Sequence, residues 1–282
     1  MDVESCRKLG FPRKVNIHRQ FWLITPKRFI LSLIMSNQLQ YLLLVFGIGC
    51  FFNAPLPAQV TDSRKIESFV EKIQWLGQSS IKISTEQSTI YIDPFRFTGS
   101  DQADIIFITH DHKDHLDPSS LSKLMTDRTI VVAPLSCQDK LDNLKIDNVQ
   151  FMSPWDSTKI NGIHIKAVPA YNIKKHNFHP KNKNYLGYLI TIDEICIYHA
   201  GDTERIPEMQ QFSCDIALLP LGQKYTMNSV YDAANAALDV KAVVAIPIHY
   251  GLFEGKLSDA KNFQEILRDK VKVIIKSPAL DK

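Results

Sequence analysis

Cysteine is scarce in this 282-residue chain: five residues, Cys6, Cys50, Cys137, Cys196 and Cys214. A set so sparse and odd in number is no disulfide framework, and its spacing matches no zinc motif. Cys196 and Cys214 sit in apolar stretches, where packing is the expected role. Glycine is also sparse, 11 residues, and no Gly-rich phosphate loop is present. There is no tandem repeat and no low-complexity block. A surplus of one charge is lacking too. The formal balance is +3, from 33 Lys and Arg against 30 Asp and Glu. Residues 1–58 hold seven of the basic and two of the acidic residues, leaving 26 against 28 in the remainder. The basic excess therefore belongs to the leader, and nucleic-acid binding by the folded part is not expected.

The uncharged run "YLLLVFGIGCFF", 41–52, spans 12 residues, short of the roughly 20 that cross a bilayer. With "NAPLPAQV" behind it, the run fits the core of a secretory signal peptide cleaved after Ala58. The stretch before it is long for a signal. Initiation at Met35 would shorten it, but would leave no Lys or Arg ahead of the core. A retained anchor beginning near Phe29, or a lipoprotein acylated at Cys50, are the other readings. The expected product is an exported or membrane-anchored protein that meets the membrane only through this segment. Residues 1–58 are then leader, and 64–282 form one domain.

Within that domain short apolar runs follow one another, many ending at Pro or Gly. "KIQWLGQ", "SIKIST", "TIYIDP", "DIIFIT" and "TIVVAP" read as strands. So do "NGIHIKAVPAY", "DIALLPLG" and "AVVAIPIHYG", and "YLGYLITIDEICIYHAGD" reads as a hairpin turning at Asp193–Glu194. Helices are expected at "LDPSSLSKLM", with Asp117 as N-cap and Pro118 first inside, and at "SVYDAANAALDV". "SDAKNFQEILRDK" should be a third, with Ser258 as N-cap. A strand-rich first half and alternating strands and helices in the second suggest two sheets covered by helices, an α/β sandwich of layers.

"ITHDHKDHLD", 108–117, places His110, His112, Asp114 and His115 within six positions after an apolar strand. A solvated loop can be rich in such residues, but imidazoles with a carboxylate at a rigid strand end make a metal-ligand set. His110 and His112, two apart, could face one ion, and Asp114 and His115 a second. Two later strand ends offer more: "YHAGDT" with His199 and Asp202, and "IPIHYG" with His249.

These motifs, with "WLGQSS", "IYIDP", "VPAYN" and "LLPLG" in the same order over 72–251, resemble the metallo-β-lactamase-fold metal-dependent hydrolases. The likeness is greatest to the branch containing L-ascorbate-6-phosphate lactonase-like and related hydrolases. The resemblance implies a four-layer αββα sandwich with two metals at one sheet edge. His110 and His112 would hold the first metal, Asp114, His115 and His249 the second, and Asp202 would bridge them. Asp93 would sit behind a ligand histidine. Zinc is expected, two ions per chain, with manganese or iron as alternatives.

This chain departs from the pattern twice. A third histidine for the first metal is absent after "VPAY". His179 is the better substitute, with His176, Asn172 or water as alternatives. Gln78 stands where relatives often carry His, leaving a substrate-contact or second-shell role open for it.

The chemistry implied is hydrolysis by a metal-activated water of a small ester, lactone, amide or phosphoester, with Asp114 and Asp202 central. His199 either donates to substrate or packs at the hairpin end. Lys174, Lys175, Lys181 and Lys183 favour an anionic substrate if their loop borders the metals; otherwise they are a solvated basic loop. Tyr225 and Thr226 could line the cleft. A phosphodiesterase like N-acyl phosphatidylethanolamine phospholipase D is the alternative, against which stands the lack of an obvious apolar lid. A non-catalytic metal-binding protein is another.

Overall fold

Residues 62–279 are described by the computed structural model of the chain. The expected signal or anchor at 41–52, and the whole leader 1–58, lie outside the described residues. Among the described residues, no helix is long and apolar enough to cross a membrane.

The apolar runs form two mixed sheets. The first has six strands in sequence order: β1 (Ile73–Gly77), β2 (Ser80–Ser84), β3 (Thr89–Ile92), β4 (Ile105–Phe107), β5 (Ile130–Pro134) and β6 (Val149–Met152). The β1–β2 and β2–β3 pairs are antiparallel; β3 to β6 run parallel. The second sheet contains β7 (Ser157–Ile160), β8 (Ile163–Pro169), β9 (Leu186–Ile192), β10 (Ile195–His199), β11 (Ile216–Pro220), β12 (Val244–Ile248) and β13 (Lys272–Val273), also ordered sequentially. β7 to β10 pair antiparallel, and β10 to β13 parallel.

The two-residue period of a strand sorts the side chains into layers. Ile90, Ile92, Ile105, Phe107 and Val132 join Ile165, Tyr188 and Ile190 of the other sheet in one apolar core. Their sequence neighbours Tyr91, Ile106, Val131 and Ala133 face the opposite way. There they meet Leu121 and Leu124 of α2 (Pro118–Leu124) and Leu141 of α3 (Gln138–Asn143). α4 (Val230–Asp239) lies against β11, which is buried on both faces. Its alanines 233, 234, 236 and 237 let it approach closely. α5 (Leu257–Leu267) packs beside it, and α1 (Ser63–Val70) leads into β1. The result is the αββα sandwich that the resemblance implies.

Asp117 caps α2 by accepting from the Ser119 amide at 3.1 Å, with Pro118 in the first turn as expected. Ser229 caps α4 through the Asp232 amide at 3.0 Å. One expected cap differs. α5 begins at Leu257, so Ser258 lies inside it. Asp259 folds back instead, its carboxylate accepting from the Lys256 amide at 2.7 Å. The short edge strands β6 and β7 carry no sequence signal strong enough to predict them, because each leaves most of its residues partly or fully exposed.

Candidate metal centre

The strand directions decide where the polar residues meet. β3 and β4 run parallel in one sheet, and β8, β10, β11 and β12 share a direction in the other. The turns that follow them gather at one edge of the sandwich. They bring the 110–115 segment, His179, Asp202 and His249 around one cavity of about 380 Å³, with Asp93 behind His115. The turns are sharp. Asp93 and His249 adopt left-handed φ values of 46° and 54°. Gly201 has φ 64°, and a side chain there would press on the Leu186 carbonyl.

Three overlapping groups of potential ligand atoms lie each within 4.8 Å of one another: His110–His112–His179, His110–His115–Asp202, and Asp114–His115–His249. Asp202 is central. Its Oδ2 lies 3.2 Å from His249 Nε2, 3.3 Å from His115 Nε2, 3.5 Å from His179 Nε2 and 3.9 Å from His110 Nε2. Asp114 Oδ2 is 3.6 Å from His115 Nε2 and 3.9 Å from His249 Nε2.

Each of the four inward Nε2 atoms belongs to a ring whose Nδ1 is held from behind. His115 Nδ1 donates to Asp93 Oδ2 at 2.7 Å. Asp93 is itself fixed by the Thr109 amide at 2.8 Å and the Thr109 hydroxyl at 2.6 Å. That hydroxyl has spent its proton on Asp93, so at 3.0 Å it accepts from His110 Nδ1. His179 Nδ1 faces the Tyr225 carbonyl at 3.2 Å. His249 Nδ1 lies 2.9 Å from Glu254 Oε1, a close charge contact without the alignment of a full hydrogen bond. An acceptor behind the ring keeps a proton on Nδ1 and leaves Nε2 as the nitrogen that faces inward. His112 offers its Nδ1, 2.9 Å from His110 Nε2.

Protonation differs around the ring of ligands. Burial, with the charge of His115 added, holds His110 well below the usual histidine range. Burial likewise lowers His112, and takes His179 down to about 4. For His115 and His249 burial pulls the same way but is outweighed. Asp202 and Asp93 raise His115 well above its usual value, and Asp202 with Glu254 raises His249 to about 10. Burial would raise Asp202, yet the facing His115 and His249 keep it well below the ordinary carboxylate range.

Among the candidates for a third histidine, the structure brings His179 to His110 and His112. His176 is exposed. Asn172 stands behind His179, its Nδ2 3.2 Å from His179 Nδ1 and 2.6 Å from the Tyr225 carbonyl. Gln78 is buried, with its amide nitrogen 2.9 Å from Asp114 Oδ2 and 2.7 Å from His249 Nε2. Its carbonyl oxygen has no protein partner.

His199 is a correction to the substrate-donor reading. Its Nε2 is bound to the Ser79 carbonyl at 3.0 Å, and its Nδ1 accepts from the Gly201 amide at 3.1 Å. Both nitrogens are occupied by backbone and the ring does not line the cavity, so it is the packed hairpin-end residue. The basic loop also departs from expectation. It reaches the cavity through Phe178 and His179, not through its lysines. Lys175 binds the Met227 carbonyl at 2.9 Å and Lys181 pairs with Glu208 at 2.8 Å. Lys113 is the cation that does line the cavity.

Glu254 is the residue that sequence reading misses. Besides contacting His249, it accepts from the amides of Lys224 at 2.8 Å and Tyr225 at 2.6 Å, and from the Thr226 hydroxyl at 3.0 Å. A carboxylate in a Gly-rich turn, five positions past His249, gives no local signal of this. Thr226 is thereby committed to Glu254 and to the Gly222 carbonyl at 3.0 Å, while Tyr225 does line the cavity.

The donor set fits one or two divalent cations. His115 Nε2, His179 Nε2 and Asp202 Oδ1 are buried and make no hydrogen bond within the protein. Leaving several such groups unpaired is costly, and coordination would satisfy all three. Mixed imidazole and carboxylate donors suit zinc, iron or manganese.

Comparison with known proteins agrees with this chemistry. Residues 72–249 match the Beta-lactamase superfamily domain. The UPF0173 metal-dependent hydrolase of Pyrococcus horikoshii is 30% identical over 225 residues, covering 73% of this chain and 96% of that protein. A Geobacillus protein of the same name is 32% identical over 223 residues with the same coverage. The crystal structure of a Parabacteroides distasonis protein assigned as a metal-dependent hydrolase superposes with a TM-score of 0.65 at 33% identity, over 72% of this chain and 91% of the other.

Proposed function

Because this chain belongs to the β-lactamase superfamily and is a metal-dependent hydrolase of it, we propose that it holds two ions and hydrolyses a small ester, lactone or phosphoester. His110, His112 and His179 would hold one ion. Asp114, His115 and His249 would hold the other, with Asp202 between them. The observation that carries this reading is the convergence of four anchored imidazoles on Asp202 Oδ2, within 3.2 to 3.9 Å. When bound, a pair of divalent ions lowers the pKa of water toward neutrality and polarises the scissile oxygen. Zinc is the expected metal, with manganese or iron as alternatives.

The chain's own residues supply the rest. Asp93, Thr109, Tyr225 and Glu254 fix the imidazoles, so no reorganisation is needed as charge develops. Asp202 stays ionised at neutral pH and balances cationic charge. Asp114 is partly open to the cavity, in reach of a proton leaving an attacking water. Lys113 at the wall would attract an anionic group on the substrate. The protein would act on a small molecule, without nucleic acid, and would be exported or anchored through its leader. Fractionation with an antibody to the folded domain tests that placement.

The decisive test is metal content by mass spectrometry on the full chain beside Asp114→Ala. About two equivalents falling toward one supports the two-ion site. Unchanged content below one equivalent favours a binding protein without hydrolysis.

A further inference from the structure

Four aromatic rings line the cavity above the candidate centre: Phe95, Phe178, Tyr225 and Phe253. They come from the turns after β3, β8, β11 and β12, the same turns that position the centre. Phe95 is two residues past Asp93, Phe178 precedes His179, Phe253 is four past His249, and the Tyr225 carbonyl holds His179. The rings form two pairs. Phe178 meets Tyr225 edge-on with centroids 4.9 Å apart, and Phe95 meets Phe253 at 6.1 Å. The Arg96 guanidinium lies over both members of the second pair, at 4.9 and 5.8 Å, and the Lys224 ammonium over Tyr225 at 4.5 Å.

Phe178 remains 42% and Phe253 46% exposed. Single exposed apolar residues need no explanation, but a set of aromatics gathered round one concave site does. An apolar group would bury ring surface as it seated the scissile bond over the ligands.

We infer that the substrate is amphiphilic: a hydrolysable ester-type head at the His112–Asp114–His249 floor, and a compact apolar arm, aryl or short acyl, between the two aromatic pairs. This inference rests on the hydrolase reading and narrows its substrate class. Charge on the substrate meets Lys113 in the cavity.

The test uses the full chain loaded with zinc and two probes that share a metal-binding head. Acetohydroxamate has no arm, whereas benzohydroxamate has an aryl arm. Calorimetry should show benzohydroxamate binding about tenfold tighter or more, as burial of a ring predicts. In the double variant Phe178→Ala, Phe253→Ala that advantage should fall to about threefold or less at unchanged metal content. Both sites are half-exposed, so truncation should leave the fold intact. Equal binding of the two probes overturns the inference and leaves the hydrolase reading standing. An advantage that survives the double variant overturns the placement of the arm. Zinc-loaded protein that binds neither hydroxamate overturns the proposed two-ion centre as the seat of hydrolysis, and this inference with it.

Discussion

His110 and His179 are backed by a hydroxyl and a carbonyl, and His112 meets His110 on the ligand side. His115 and His249 are each backed by a carboxylate, Asp93 at 2.7 Å and Glu254 at 2.9 Å. The first group is pushed toward neutrality by burial; the second is held protonated by its neighbours. One residue type thus gives two unlike flanks, and the difference lies in what stands behind each ring. A cation meets a ready-made lone-pair set on the first flank. On the second it must displace protons, but finds imidazoles made more electron-rich by their carboxylates.

The strongest way to break the comparison is to remove what both flanks share. Asp202→Ala should take metal content from about two equivalents to below one and abolish hydrolysis, because the oxygen between the flanks is gone. Mass spectrometry and an ester or phosphoester assay check this. His179→Ala should strike one flank: about one equivalent lost, with the Asp114 flank still loaded in the same measurement.

Glu254→Gln keeps the shape but removes the charge behind His249. The affinity of one ion should fall by about 10- to 100-fold, with little change in the other, as read by competition with a chelator.

Proton linkage separates the flanks without metal. A histidine lowered in the fold binds fewer protons than in the unfolded chain. His179 therefore adds stability that is present above about pH 6.5 and lost as pH falls toward about 4. A raised histidine does the reverse: the contribution of His249 is full below about pH 6.5 and lost as pH climbs through about 10. Denaturant midpoints of metal-free protein across pH should therefore fall on both sides of an intermediate maximum. His179→Ala should flatten the acid limb, and Glu254→Gln should bring the alkaline loss to lower pH.

The smallest change sharpens the second flank. A side chain at Gly222 would collide with the Glu254 carboxylate. Gly222→Ala should cost about 1–3 kcal/mol of stability and reproduce part of the Glu254→Gln loss of affinity.

Much of this was legible in the sequence. Central strands announce themselves because both faces are buried, as in "DIIFIT" and "DIALLPLG", and the 110–115 run states its chemistry in consecutive letters. What escaped was whatever depends on tertiary approach. Glu254 reaches His249 from a turn with no pattern, and Ser258 lost its cap to the Asp259 carboxylate. His199, sequence neighbour to a turn that carries Asp202, has its nitrogens taken by Ser79 and Gly201. Lysine 175 and lysine 181 looked like an anion trap until their partners, the Met227 carbonyl and Glu208, were seen. The edge strands β6 and β7 were silent because an edge needs few apolar residues.

The donors at the centre come from both sheets and from distant points along the chain, His110 at one extreme and His249 at the other. A ribosome delivers them in that order. When the 110–115 segment emerges, Asp202 and His249 are still unmade, and the site is open on one side. Complete coordination then waits for the last third of translation and for the docking of the second sheet on the first. Uptake of the full metal complement would report the end of folding, and a chain truncated before residue 249 would lack the His249 side of the centre however well its first sheet had formed.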